Sequence, residues 1–362
     1  MFRIFAFAIC LWAAAAGAAS AYSHRSCYST PLRFRGDVGT VGVWGASFPV
    51  ETGWRAGVTD AFTKVNAHPG NYRLDMGVDT YHVSPGNGES EVWFSRDHLW
   101  ANEGSATAHY YDICVWFFGE FYYVNEVDVI IDADVPWTLS ENKRDIWNYG
   151  GEGRPFAPIL IHELGHGLGF SHNDYSYNVM GDDFSHLNVN GSRAVGYVGE
   201  DLSAGIIAHY GPKAAWTDVA VTHWRYMGSD GEYSIHDKTD IIGAGGVLPV
   251  RDIDGETHFD VTPGQWLFAQ FTFEDLGIDC RTTTADYFLS TNATITTADR
   301  WLVQNNIALC TNRPNTRRVF IRLPADLRRG APLWLGVVLN RARAFPEADL
   351  TNNAAYVPLW VN

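Results

Sequence analysis

The segment IHELGHGLGFSHNDYSYNVMG, which begins at Ile161, concentrates residue types that do chemistry: His162, Glu163, His166, Gly169, His172 and Met180. On a helix, His162 and His166 stand one turn apart, so their imidazoles leave the same face and can hold one metal ion. Glu163 points away from a ligand position but within reach of a metal-bound water. Gly169 falls where the helix must stop sharply, because glycine enters the left-handed region without steric cost. The turn then returns His172 toward the same ion. Three neutral imidazoles fill three tetrahedral positions and leave a fourth for water, the arrangement of a catalytic zinc centre.

That chemistry would be hydrolysis. Zinc lowers the pKa of a bound water, and Glu163 would take its proton as the oxygen attacks a carbonyl, then pass it to the leaving amine. Nitrogen ligands suit Zn²⁺ better than Ca²⁺ or Mg²⁺. A purely structural zinc would need a fourth protein ligand, and Asp174 is the nearby residue that could serve.

These residues need elements to carry them. PFAPILIHELGHGLGF reads as the site helix, with Pro158 tolerable in its first turn. WRAGVTDAFTKVNA repeats Trp54, Val58, Phe62 and Val65 at helical spacing, and GEDLSAGIIAHYGP reads as a third helix closed by Gly211-Pro212. Strands are expected at TVGVWGASFP, near Tyr72–Met76, Glu91–Phe94 and Tyr111–Phe118, and most clearly at EVDVIIDADVPW. Residues 138–154, and those between Met180 and the third helix, read as loop. From about Trp216 the texture changes to strand-like runs such as WLFAQFTF, RRVFIRLP and PLWLGVVLN between turn residues, the pattern of an all-β sandwich.

The whole chain of 362 residues is long enough for two domains, and its 46% hydrophobic and 14% aromatic content is that of an ordered protein. A net charge of −15 disfavours nucleic acid and anionic membranes as partners. The first 21 residues, a short apolar run behind Arg3 that ends Ala19-Ser20-Ala21, read as a secretory signal. The expected location is therefore extracellular, or periplasmic in a bacterium, with no membrane insertion after signal removal. Four cysteines remain beyond the signal, an even number that suits two disulfides. Chain proximity favours Cys280–Cys310 and leaves Cys27–Cys114, although Cys27 could instead be an inhibitory thiolate on the zinc.

HELGHGLGFSH followed by NVMG resembles the zinc-binding helix and Met-turn of the metzincin metallopeptidases. The eight-residue interval from His172 to Met180 resembles the matrixin branch, as do VDVIIDADVPWT before the helix and GEDLSAGIIAHYG after it. The resemblance covers roughly 40–212. It implies that His162, His166 and His172 are zinc ligands, that Glu163 is the catalytic acid/base, and that Met180 forms a hydrophobic floor beneath the metal. It also implies an edge strand that binds substrate, for which TAHYYDICVWFF and FYYVNEVDVIID are candidates. Asn173 stands where matrixins usually carry serine, Gly181-Asp182-Asp183 departs from the usual sequence after the methionine, and neither the structural-zinc segment nor the cysteine-switch propeptide is visible. His98 and His109 are spaced too loosely to replace that segment. Tyr175 or Tyr177 could face an oxyanion, though a loop tyrosine is the plainer account.

The later half more faintly resembles CARDB-like, immunoglobulin-like domains, through DYFLSTNATITTADRWLV, LWLGVVLN and EADLTNN. The expected fold class is thus α/β (α+β): a metzincin catalytic domain with a twisted mixed sheet and active-site helix, followed by an all-β immunoglobulin-like sandwich. The expected division is a signal at 1–21, an extension at 22–39, a peptidase domain at 40–214 and a sandwich at 215–362. The expected function is a secreted zinc endopeptidase acting on protein or peptide, with cell-surface or matrix contact through the sandwich. Two alternatives stay open: a non-catalytic adhesin that works through its sandwich, and a zinc amidase acting on a cell-wall amide. Calcium has only the acidic run DIDGE at 252–256 behind it, which reads better as a solvated turn.

Overall fold

The computed structural model describes residues 22–362 apart from 28, 81, 98–105, 117–119, 183 and 214. The expected signal and His98 lie outside the described residues. In the N-terminal half, strands β1 (Val38–Trp44), β2 (Arg73–Thr80), β3 (Glu91–Ser95), β4 (Ala106–Trp116) and β5 (Glu120–Asp132) form one sheet in the order β2-β1-β3-β5-β4. All neighbours are parallel except β4, which runs antiparallel to β5 on the outer edge. Of the two segments that might lend an edge to substrate, β4 is therefore the edge and β5 is interior.

Among the described residues, three α-helices pack with this sheet: α1 (Gly53–Val65), α2 (Phe156–Gly167) and α3 (Glu200–Tyr210). α1 starts at Thr52, whose hydroxyl accepts from the Arg55 amide at 3.3 Å, and buries Val58, Ala61, Phe62 and Val65 on one face. α2 is different. Phe156, Ile159, Leu160, Ile161 and Leu164 are all buried, as are its polar residues, so apolar side chains surround a helix that carries histidines. It lies in a core with Val43, Phe62, Val129, Met180 and Leu202.

The expected α/β (α+β) class is corrected at the level of the chain. Strands make up 47% and helices 13%, in many separate sheets, so the protein is mainly β. Two physical reasons account for the difference. Stretches expected as loop enter short strands: Thr138 in Trp137–Thr138, Arg154 in Arg154–Pro155, and all of Leu187–Asn190 and Arg193–Gly196. Beyond Trp216, apolar residues recur at period two, and no helix forms among the described residues.

The main strands of that second half are β6 (Val219–Thr222), β7 (Trp224–Asp230), β8 (Tyr233–Lys238), β9 (Ile241–Gly243), β10 (Val250–Ile253), β11 (Glu256–Val261), β12 (Trp266–Asp275), β13 (Arg281–Ser290), β14 (Arg300–Leu309), β15 (Asn315–Arg322), β16 (Ala331–Leu339) and β17 (Ala354–Val361), with a two-residue strand, Gly246–Val247, beside β9. One sheet is centred on β12, which pairs with β15 on one side and with β6 and β9 on the other. The second runs β10-β11-β17-β16-β13-β14. Phe271, Phe273, Tyr287, Val337 and Leu359 fill the space between them. Strands β7 and β8 stand apart as a two-stranded hairpin.

The two halves share a buried core. Ile146, Tyr149, Tyr177, Leu187 and Val189 pack with Trp224, Phe288, Ile295 and Tyr356. Polar groups close the junction: Asn188 donates to the Val221 carbonyl at 2.8 Å, and the Glu200 carboxylate accepts from the Asp275 amide at 2.8 Å. Glu256 of the DIDGE run accepts from the Lys143 ammonium at 2.8 Å, and Asp252 accepts from the Gly255 amide at 3.0 Å. Cys280 and Cys310 form the disulfide expected from their proximity. Cys27 is also disulfide-bonded, which removes the free thiolate alternative. The side chain of Cys114, its expected partner, lies outside the described residues.

Asp218 at the start of the sandwich gives a pH test. It is 4% exposed and accepts from the Asp349 amide and the Asn352 amide group, yet burial pushes its carboxyl up from 3.8 to about 7. The folded state therefore holds this proton more tightly than the unfolded state. Its contribution to stability is fully present below about pH 4 and is lost as pH rises to about 7, a change of about 4 kcal/mol. Asp218→Asn should gain stability relative to the native chain between pH 4 and pH 8, read as a narrowing and then reversing difference in thermal midpoint. A difference that does not change with pH would refute the assignment.

Candidate metal centre

His162 and His166 lie on consecutive turns of α2, 1% and 7% exposed. The helix ends at Leu168, and Gly169 takes φ +94° while its amide donates to the His166 carbonyl at 2.8 Å. A Cβ there would sit 2.6 Å from the Leu32 carbonyl oxygen, so glycine is required on two counts. The reversed chain carries His172 back to the helix. The three rings lie 4.7–5.2 Å apart, centroid to centroid, and their candidate ligand atoms all fall within 4.8 Å of one another. Asp174 does not belong to this cluster.

The hydrogen bonds around the rings fix which nitrogen faces inward. His162 Nδ1 donates to the Val179 carbonyl at 2.8 Å, and His166 Nδ1 donates to the Phe170 carbonyl at 2.8 Å. His172 Nδ1 faces the Glu232 carboxylate at 3.0 Å. Each partner can only accept, so each Nδ1 carries the proton and each Nε2 keeps its lone pair. The Nε2 atoms of His166 and His172 lie 3.0 Å apart. Two lone pairs repel at that distance unless a cation lies between them. Tetrahedral zinc with bonds near 2.05 Å would set its nitrogens about 3.3 Å apart, so this donor set fits the ion. Burial, followed by the neighbouring imidazoles, holds His166 well below its usual pKa, which keeps it neutral and able to ligate.

Glu163 is 3% exposed. Its charge is one of the groups that raise the Tyr110 hydroxyl, after burial itself, and the Tyr110 ring lies edge-on to His166 at 5.9 Å. Tyr110 belongs to β4, the edge strand of the sheet among the described residues, so Glu163 lies close to that edge.

Met180 is fully buried in the core that holds Leu160, Leu164 and Leu202. Asp201, from the first turn of α3, accepts from the Val179 amide at 3.2 Å and the Met180 amide at 3.1 Å. The sequence places Asp201 only within the third helical segment; its role in holding the Met180 turn comes from tertiary packing. Asn173, a departure from the family pattern, ties the loop together: its amide donates to the Met180 carbonyl at 3.2 Å, and its side chain accepts from the Tyr175 amide at 2.9 Å. Tyr177 is 2% exposed and donates to the Ser185 carbonyl, which turns it away from any oxyanion role, whereas Tyr175 is 65% exposed. His109 sits on β4, opposite Asp128 of β5. Nothing in the sequence alone marks Glu232 or Tyr233 as part of the site. The alternation and central Gly231 of WRYMGSDGEYSIHDK signal a hairpin, but nothing in it says what the hairpin touches.

The matrixin family model (peptidase family M10) matches residues 83–211. That span of the chain is thus similar to the matrixin peptidases, a family whose substrate class is proteins or peptides. No match was found among curated proteins. Among solved structures, this chain is similar to the CARDB domain of the PF1109 protein from Pyrococcus furiosus. The crystal structure of that domain with di-metal ions is 11% identical, with 41% of this chain and 90% of that chain covered and a TM-score of 0.25. Its solution structure is 13% identical, with coverage of 41% and 97% and a TM-score of 0.25. No helix among the described residues is long and apolar enough to cross a membrane.

Proposed function

We propose that the chain is an exported zinc endopeptidase, with a signal at 1–21, an extension at 22–39, a peptidase domain at 40–214 and an immunoglobulin-like sandwich at 215–362. His162, His166 and His172 would hold the zinc, Glu163 is the general base and acid, and Met180 is the buried residue of the Met-turn. The observation that carries this reading is the convergence of three imidazoles whose Nδ1 atoms all face acceptors. A bound zinc ion supplies Lewis acidity to the scissile carbonyl and the attacking water.

The protein's own residues do the rest. Glu163 takes a proton from the attacking water and returns it to the departing amine. β4, the sheet edge among the described residues, offers backbone groups to an extended peptide, which would add as a further strand and lie along the α2 side of the sheet. The buried acceptors of Val179 and Phe170 keep the ligand rings in one tautomer without any rearrangement.

Zinc content and cleavage of a peptide library test this reading together. The purified chain should retain zinc and cut peptides internally. Dialysis against a chelator should abolish cleavage, and equimolar zinc should restore it. Metal-bound protein that cuts no peptide, but releases amine from a cell-wall amide, would favour the amidase. Metal-bound protein inert to both would favour an adhesin.

A further inference from the structure

The third ligand differs from the other two in where its orienting acceptor comes from. His162 and His166 use backbone carbonyls of the loop and turn beside them, whereas His172 uses a side chain some sixty residues downstream. That side chain, Glu232, sits with Gly231 in the two-residue loop that joins the paired Asp230 and Tyr233 of the β7–β8 hairpin. The Tyr233 ring lies against the His172 ring with centroids 3.9 Å apart and planes tilted by 33°. The hairpin tip therefore covers one ligand with both an acceptor and an aromatic wall. It also lies outside residues 83–211, the span that matches the matrixin family.

The contact is not a loop end that happens to lie close, because the hairpin is locked onto the loop between His172 and α3. Along β8, Ser234 and His236 are buried against that loop, while Tyr233, Ile235 and Asp237 lie on the other, more exposed face, where Tyr233 at the tip reaches His172. Asn178 donates through its side chain to Ser234 Oγ at 3.1 Å and through its backbone to His236 Nε2 at 3.4 Å. His236 Nδ1 pairs with Ser185 Oγ at 2.7 Å. Tyr226 of β7 donates to the Asp174 carbonyl at 2.8 Å. Packing is close enough that a Cβ on Gly181 would lie 1.7 Å from Ser234 Oγ. These contacts fix the hairpin without any help from Glu232, whose side chain is 71% exposed.

We infer that the β7–β8 hairpin is a built part of the metal centre, in which Glu232 is a positioning residue that holds His172 in its metal-binding tautomer and Tyr233 walls the ring. The inference rests on the zinc reading above and adds to it: the site is completed by a segment beyond the matched peptidase span. A hydrogen bond to so exposed a carboxylate contributes little to folding, so its effect belongs in ligand orientation.

The test uses the full chain and zinc alone. Zinc affinity is measured by competition with a chromophoric chelator, and ligand geometry by the visible spectrum of the cobalt-substituted protein. Glu232→Ala should weaken zinc binding about 10-fold and alter the cobalt bands, while the thermal midpoint of the metal-free chain stays the same. Glu232→Gln keeps an oxygen that accepts from Nδ1 and should recover most of the lost affinity. Tyr233→Ala should also weaken binding. Native affinity and an unchanged cobalt spectrum in Glu232→Ala would overturn the inference and leave the peptidase reading standing. Glu232→Gln as weak as Glu232→Ala would overturn the tautomer-holding role. A native chain that binds no zinc would remove the reading on which the inference rests.

Discussion

Glu163→Gln is expected to lower kcat/KM for a cleavable peptide by about 10²–10⁴-fold while zinc content stays at that of the native chain. The fold-change corresponds to roughly 3–5 kcal/mol of barrier, the range a positioned general base supplies. The split between activity and metal follows from geometry. Glu163 follows a ligand on α2 but is not a member of the ligand cluster, so removing its charge leaves the three imidazoles and their acceptors in place. Glutamine also preserves volume at a position only 3% exposed, which limits repacking. Elemental analysis and initial rates on the same sample decide the matter. Unchanged turnover would remove Glu163 from the proposed mechanism, and lost zinc would mean that it serves the metal rather than the substrate.

How much of this centre the sequence made legible depended on whether the relevant interaction was local. The helix, its two histidines and the glycine turn were all readable, because spacing on a helix and a single left-handed residue are local facts. Asp201 and Glu232 were not. Each acts by a side chain reaching a distant backbone amide or imidazole, and only tertiary packing decides where that side chain lands. The same limit explains the error in fold class. Three helical segments and a family resemblance drew the reading toward α/β, while the alternation that fills most of the chain had the greater weight. Segments at 138–154 and 187–196 lacked a clear period and were read as loop, yet short strand pairings formed where neighbouring chain supplied partners.

His166→Ala is expected to remove zinc and activity together. The remaining two imidazoles cannot close a three-nitrogen site, and the Phe170 carbonyl loses the donor that faces it. Because zinc binds the folded state far better than an unfolded chain, its loss is also a stability effect. At zinc 1,000-fold above its dissociation constant, the native chain should gain about 4 kcal/mol, seen as an upward shift in thermal midpoint when metal is added. His166→Ala should show no such shift. His209→Ala is the matched control: His209 is a largely buried imidazole, packed against Phe170 and held at about 4 by burial, yet it lies outside the ligand cluster. It should lose some intrinsic stability and keep the full response to zinc. Equal zinc-induced shifts in the two variants would mean that the metal binds elsewhere, and the three converging rings would then need another explanation.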